Sequence, residues 1–309
     1  FLNPLIIGEA TTGMKDTAVV TATCIGAAIG TWLIGWLSNY PMAQAPGLGL
    51  NAVFAYTLCG SFGLSAPAAL SAVFIGGIFF ILLTVTGART AIVKAIPVSL
   101  KKAISAGIGL FIAMIGFVNS GIVVGEKTGA TTVDLGNFAS PTVLLSLAGL
   151  VIITILVIQK VNAGIFIGML ITAVIGNICQ FGFGIEMGIT APASWVPSLD
   201  FSMFGKCFTG FGELFSAPIA SLIAVLLTLT GAADKAGYLD EKGNLPKIER
   251  AMLADALATS AGAVFGTSTV TTYVESTSGI AAGGRTGLTS TVTGLCFALA
   301  MFLSPVVGF

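Results

Sequence analysis

The sequence predicts an all-α, polytopic membrane protein, and three observations point there. Of the 309 residues, 55% are hydrophobic and 8% charged, whereas a soluble domain carries about 25% charged residues; mean hydropathy is +1.01. Apolar runs of helical length recur between short polar connections, a pattern of membrane helices rather than of a β-barrel. The 40 glycines suit helices packed closely in a bilayer, where small residues let backbones approach.

The runs place spans at roughly 17–37, 45–60, 67–87, 103–124, 142–159, 161–180, 214–230, 251–265, 267–282 and 287–305. Residues 1–8 are too short for a signal peptide and read as the last turn of a span already under way. The spans at 45–60 and 267–282 are short for a helix crossing a ~30 Å hydrocarbon core, and both are rich in Gly, Pro or Thr.

The first short segment opens Ala-Pro-Gly-Leu-Gly-Leu-Asn-Ala from position 45. Pro46 removes a backbone donor, and Gly47 and Gly49 permit non-helical dihedrals. An extended start that becomes helical near Asn51 is expected, with the free amides of the helix start turned inward toward a ligand. Asn51 offers a donor and an acceptor; the alternative is a re-entrant turn with Asn51 as its cap. Residues 17–60 and 251–282 each run small-residue helix then broken segment, an internal repeat of element types. Two broken segments at corresponding positions point to the site of a secondary transporter.

Loop charges orient the chain. Lys15, Lys127 and Lys206 fall on one side and the other ten of the 13 Lys and Arg residues on the opposite side, which becomes the cytoplasmic one. Residues 89–102 alternate basic and apolar positions and suit a connector lying in the interface. Residues 231–250 form a hydrophilic cytoplasmic loop.

Composition excludes several functions. Net charge is zero and histidine is absent, so neither nucleic-acid binding nor a histidine proton relay is expected. Cys24, Cys59, Cys179, Cys207 and Cys296 share no metal-ligand spacing, and no metal or cofactor is expected. No nucleophile–base pair marks an enzyme.

The stretch from Gly266 to Gly284 carries the chemistry. Glu275 lies in its middle, among Thr267, Ser268, Thr269, Thr271 and Thr272. An acid at membrane depth is costly and marks function by default. A carboxylate accepts hydrogen bonds from N–H groups, and when desolvated it can load and release a proton. Glu275 is therefore a candidate both for ligand binding and for proton coupling; the alternative is a structural acid tied to Thr271, Thr272 or Ser276. Thr271 and Thr272 are candidate cavity-lining residues, although membrane Thr also simply bonds neighbouring carbonyls. Phe54, Tyr56 and Tyr273 are read as packing. Asp255, near the start of the 251–265 helix, is read as a helix-dipole partner.

Several stretches resemble the nucleobase:cation symporter-2 family, in its hypoxanthine/guanine/adenine permease branch. They are Asn-Tyr-Pro-Met-Ala-Gln-Ala-Pro-Gly-Leu-Gly-Leu-Asn-Ala at 39–52, the run at 96–113 beginning Ile-Pro-Val-Ser-Leu-Lys-Lys, Asp-Lys-Ala-Gly-Tyr-Leu-Asp-Glu-Lys-Gly at 234–243, and Gly-Thr-Ser-Thr-Val-Thr-Thr-Tyr-Val-Glu-Ser at 266–276, continuing into Gly-Gly-Arg-Thr-Gly-Leu-Thr at 283–289. The resemblance covers essentially the whole chain. It implies fourteen spans in two inverted seven-span repeats, with a core and a gate. The third and tenth spans are then part strand and part helix, meeting at the substrate site. It also implies purine uptake coupled to a proton, with sodium as the alternative ion, and a possible homodimer. Gly49 and Asn51 become the third-span ligand contacts and Glu275 the tenth-span carboxylate that meets the base.

On this register residues 1–88 are the first part of the core, 89–211 the connector and gate, and 212–309 the second part of the core. About ten of fourteen spans are expected in the chain, which looks like a fragment lacking most of the first span and the last three. The family's eighth span carries two acids, but Ser221–Gly231 reads Ser-Leu-Ile-Ala-Val-Leu-Leu-Thr-Leu-Thr-Gly, so this chain alone is expected not to transport. An ion channel with a Thr-rich filter and a non-transporting membrane scaffold are the readings of other classes.

Overall fold

The computed structural model describes residues 2–87, 98–125, 133–161, 163–185, 197, 199–216, 248–273 and 275–303. The acid-free stretch at 221–231 and most of the connector at 89–102 lie outside the described residues. In chain order the elements are α1 (Leu2–Ile7), α2 (Glu9–Thr12), α3 (Asp16–Ser38), β1 (Gln44–Pro46), α4 (Leu48–Ala52, widened onward over Val53–Ser61), α5 (Ala66–Val85), α6 (Val98–Asn119), the strands β2 (Val123–Val124) and β3 (Asp134–Leu135), α7 (Pro141–Ile158), α8 (Gly164–Asn177), α9 (Phe211–Ser216), α10 (Ile248–Phe265), β4 (Val270–Thr272), α11 (Ser276–Ala281) and α12 (Gly287–Ala300). Four described helices are long and apolar enough to cross a membrane: Asp16–Ser38, Ala66–Val85, Pro141–Ile158 and Gly164–Gly182.

The chain divides into two compact units, Phe1–Ala106 with Val196–Ser304 and Gly107–Trp195 with Pro305–Phe309. In the first, α3 and α10 pack antiparallel through small residues. A Cβ built on Gly26 would lie 3.5 Å from Gly262 Cα, and one on Gly30 would lie 3.0 Å from Ala258 Cβ. The space these residues leave is filled by Val270 of β4, which is fully buried. A Cβ on Gly262 would meet Val270 Cγ2 at 2.6 Å, so the strand lies where helix side chains are absent.

Caps set the ends of these helices. Asp16 in the first turn of α3 suits the helix dipole. α3 stops where Asn39 adopts φ 60° and its N–H donates to Gly35 O at 3.0 Å, a left-handed conformation that short polar side chains tolerate. α10 stops at Gly266, with φ +99° and its N–H bonded to Gly262 O at 3.0 Å; only glycine takes that backbone without strain. Ser65 caps α5 by accepting from Ala68 N–H, and Pro67 sits in the first turn, where no intrahelical bond is lost.

α4 begins at Leu48, three residues before the start expected near Asn51. The break is set by Pro46 and by Gly47, which is extended at φ −74°, ψ 122°; Gly49 is accommodated inside the helix. Beyond Ala52 the coil widens, and Phe62 N–H bonds Thr57 O, five residues back, at 2.9 Å. Such widened turns recur at functional sites. The core of this unit joins Ile7, Val19, Phe54, Leu70, Leu214 and Ala256.

The second unit is built on the antiparallel pair α7 and α8. A Cβ on Gly149 would lie 2.7 Å from Thr172 Oγ1, and one on Gly168 2.5 Å from Ile153 Cγ1: small residues again bring backbones close. β2 and β3 pair antiparallel, Val123 opposite Leu135.

Candidate functional site

The two broken segments meet as a two-stranded antiparallel ribbon. Gln44 lies opposite Thr272, Ala45 opposite Thr271 and Pro46 opposite Val270. Backbone bonds extend the pairing at both ends, Gly47 N–H to Thr269 O at 3.1 Å and Tyr273 N–H to Ala43 O at 2.9 Å. Strand geometry explains why two segments that cannot be full helices survive inside an apolar bundle: each satisfies the backbone groups of the other. Pro46 lacks a donor, but each strand of a two-stranded ribbon is an edge strand, where proline is tolerated.

A buried polar network anchors one end of the ribbon. Asn51 is fully buried. Its Nδ2–H donates to Asn3 Oδ1, and its Oδ1 accepts from the Ser268 hydroxyl. Asn3 Nδ2 in turn donates to Thr23 Oγ1 at 2.5 Å and to Thr267 Oγ1 at 3.1 Å. Four separate parts of the chain (α1, α3, α4 and the turn before β4) are held by this network. Gly49, half-buried, lies in the first turn of α4, whose leading amides have no intrahelical acceptor.

Toward its Tyr273 end the ribbon is crossed by Gln44. Its Nε2 donates to Thr272 Oγ1 at 3.1 Å and to Asp255 Oδ1 of α10 at 3.4 Å. The backbone of Gln44 is held from α3, its N–H donating to Thr31 Oγ1 at 2.9 Å and its carbonyl accepting from the same hydroxyl at 3.1 Å. Thr271 is buried, with its methyl against Gly47: a Cβ on Gly47 would lie 2.9 Å from Thr271 Cγ2. Tyr273 turns its hydroxyl back to Pro46 O at 2.7 Å, and Ser276 Oγ accepts from Ala43 N–H at 3.0 Å.

Glu275 stands at the other end, exposed, immediately before α11, and makes no side-chain cap hydrogen bond. Among the described residues, no hydrogen bond ties its carboxylate to Thr271, Thr272 or Ser276, the structural role that the sequence leaves open. The ribbon from Thr269 to Tyr273 extends about 13 Å, with Asn51 bonded at the Ser268 end and Glu275 beyond the Tyr273 end. Asn51 and Glu275 are thus joined to opposite ends of one strand pair, rather than to each other.

One expectation needs correcting. Asp255 is not in the first turn of its helix: α10 begins at Ile248, which makes Asp255 its eighth residue. The helix-dipole effect is confined to the first turn, and Asp255 Oδ1 instead accepts from Gln44 Nε2 across the bundle at 3.4 Å. Sequence reasoning passed over Asn3 and Gln44 as site residues. The available signal was the one used for Glu275, a lone polar side chain among apolar neighbours at membrane depth. Tyr273, read as packing, does bond the ribbon.

Comparison with known proteins agrees with this architecture. The chain is similar to the guanine/hypoxanthine permease PbuG of Bacillus subtilis, 43% identical over 325 residues, covering 99% of this chain and 72% of that one. It is similar to the adenine permease AdeP of Escherichia coli, 40% identical over 311 residues, covering 100% of this chain and 68% of that one. Among solved structures, the transmembrane domain of the cyanobacterial bicarbonate transporter BicA shares the fold at a TM-score of 0.58 with 15% identity, covering 99% of this chain and 80% of that one. The sequence profile of the Permease family (Xan_ur_permease) matches residues 1–308, and the chain belongs to that family as an integral, multi-pass protein of the cytoplasmic membrane.

Proposed function

We propose that the protein is a secondary active permease that carries purine nucleobases (adenine, guanine or hypoxanthine) inward together with a proton. The observation that supports it most is the β1–β4 ribbon. It joins two broken spans at matched positions of an internal repeat, the arrangement in which transporters bind substrate. Relatives that cover nearly the whole chain are named for guanine, hypoxanthine and adenine.

In this reading Gly49 and Asn51 present the start of α4, Thr271 and Thr272 line the ribbon, and Glu275 accepts hydrogen bonds from the base and takes up the proton. A purine is flat, with N–H donors and ring-nitrogen acceptors; a carboxylate meets the donors, and amide groups meet the acceptors. The free carboxylate of Glu275 suits both tasks. Residues 1–88 and 212–309 act as the core and 89–211 as connector and gate, within a homodimer.

Competition uptake tests this. Cells expressing a form of the protein that carries the family's eighth-span acids should accumulate radiolabelled adenine, guanine or hypoxanthine, with uracil competing poorly, whereas the 309-residue chain alone should not. Accumulation should collapse when a protonophore dissipates the proton gradient and persist when sodium is replaced by choline. Sodium dependence would replace the proton with sodium, and uptake indifferent to all three purines would overturn the substrate assignment.

A further inference from the structure

Two threonines depart from the usual bonding of hydroxyl side chains in membrane helices. Thr21, Thr84, Thr154, Thr172 and Ser260 each donate to the carbonyl four residues back in their own helix, the ordinary choice in a bilayer. Thr31 of α3 and Thr259 of α10 are bonded otherwise. Both reach out of the helix to the ribbon, Thr31 donating to Gln44 O at 3.1 Å and Thr259 to Val270 O at 2.8 Å. Both are buried. Each lies about two turns before the end of its helix, and each bonds the strand that its own helix leads into. The two therefore occupy matching places in the internal repeat.

The strand register explains what they supply. Gly47 N–H bonds Thr269 O and Tyr273 N–H bonds Ala43 O. Bonded and non-bonded pairs alternate along an antiparallel ribbon, so Gln44, Pro46, Val270 and Thr272 turn their backbone groups outward, away from the partner strand. In a wider sheet a third strand would satisfy them, but this sheet has two strands, and the hydrocarbon core offers no water instead. Pro46 O receives the Tyr273 hydroxyl at 2.7 Å and Thr272 O the Thr271 hydroxyl at 3.3 Å, both from the ribbon itself. Gln44 and Val270 are served from outside it. The Thr31 hydroxyl also accepts the Gln44 N–H at 2.9 Å, so one side chain fills both the donor and the acceptor place of an absent strand.

A threonine side chain is short, and it reaches only where the strand comes close. Small residues beside each threonine allow this. A Cβ on Gly30, next to Thr31, would lie 3.0 Å from Val270 Cγ1, and one on Gly262, a turn beyond Thr259, would lie 2.6 Å from Val270 Cγ2.

We propose that Thr31 and Thr259 are positioning residues, a matched pair of clamps that fasten the two outer edges of the β1–β4 ribbon to α3 and α10. They thereby fix the strand pair on which the proposed purine site is built. The inference rests on the purine reading above and adds residues that act on the site through the ribbon backbone. Thr31 is the stronger clamp, because its loss leaves two buried backbone groups without that partner, against one for Thr259.

The test is amide hydrogen exchange, read by mass spectrometry on the purified 309-residue chain in detergent. Thr31→Val keeps the shape and deletes the hydroxyl; Thr31→Ser keeps the hydroxyl. In Thr31→Val the segments 39–52 and 266–273 should exchange about tenfold faster or more, while α7 and α8 of the second unit keep wild-type rates. Thr31→Ser should restore slow exchange. Thr259→Val should accelerate the same segments by less. In a form that carries the family's eighth-span acids, Thr31→Val should also weaken purine binding about tenfold, and Thr31→Ser should recover it.

A folded Thr31→Val protein with wild-type exchange across the ribbon overturns the proposal. So does a Thr31→Ser protein that exchanges as fast as Thr31→Val, or an acceleration spread equally over α7 and α8. Should Thr31→Val not fold, wild-type exchange in Thr259→Val overturns it equally. Faster ribbon exchange with unaltered purine affinity overturns the positioning role. If the wild-type form with the acids binds no purine, the nucleobase reading falls, and exchange alone then decides whether the clamps hold the ribbon.

Discussion

Asn51 Nδ2–H donates to Asn3 Oδ1 across 48 residues of sequence, and both side chains are buried. The pair ties the start of the first broken segment to the helix that opens the chain. Through Ser268, its second partner, Asn51 also ties α4 to the turn before β4.

Asn51→Ala leaves Asn3 Oδ1 and the Ser268 hydroxyl without that partner. It should lower stability by roughly 1–3 kcal/mol, read as a drop in thermal unfolding temperature in detergent. Asn3→Ala should cost a comparable amount, and the double variant less than the sum, because the two share one network. Strictly additive losses would show that the pair is not coupled.

Gly262→Ala forces a methyl to within 2.6 Å of Val270 Cγ2. Overpacking of this kind costs roughly 1–3 kcal/mol, and here it pushes on β4 itself. Substrate affinity should therefore fall along with stability. Adding Val270→Ala should recover most of both; failure of that rescue would show that the helix, not the strand, is what the methyl disturbs.

Glu275→Gln keeps size while removing the charge and the titratable proton. Because the carboxylate is exposed and makes no cap bond, thermal stability should hardly change. In a form of the protein that carries the family's eighth-span acids, purine uptake, in contrast, should drop to near background or lose its pH dependence. Uptake by the variant at the wild-type rate and with the wild-type pH profile would remove Glu275 from the site.

Tyr273→Phe deletes the hydroxyl bonded to Pro46 O at 2.7 Å and nothing else. About 0.5–1.5 kcal/mol of stability should go with it. The ring, held in the same place, should leave the preference among purines unaltered. A reordering of adenine, guanine and hypoxanthine affinities would instead assign the hydroxyl to the base.

Glu213, one residue ahead of the 214–230 segment, accepts from the Ser65 amide at 2.7 Å and the Ser65 hydroxyl at 2.5 Å. These donors hold its carboxyl below the ordinary 4.5, the hydroxyl contributing most. The sign follows from the depressed folded value. The contribution to stability is complete above the ordinary pKa and is lost as pH falls through the folded one. Glu213→Gln should thus be slightly less stable than wild type at neutral pH, and the gap should close in acid. A gap that widened in acid would contradict the hydrogen bonds.

Much of the fold was legible because membrane burial leaves a one-dimensional record. Apolar length, small-residue content and the two short Gly-, Pro- and Thr-rich segments identify the helices and the broken spans, since lipid forbids the alternatives. Pro46 and Gly47 break the first segment by their own backbone chemistry, wherever they are packed. Glu275 could be singled out for the same reason: an acid in an apolar stretch needs no neighbours to be conspicuous.

The other polar residues could not be assigned in that way. Asn51 stands out in sequence as a polar residue at a helix start, but its hydrogen bond to Asn3, 48 positions away, is not written there. Asp255 reads as a helix-start acid, and the true start at Ile248, together with Gln44 opposite it, makes it a cross-bundle partner. The sequence by itself determined the solvent this protein lives in, the helices it must form and the two places where they fail. Only the tertiary structure decided which polar groups meet, because burial sets whether each donor has an acceptor, and that depends on what the fold brings across from distant parts of the chain.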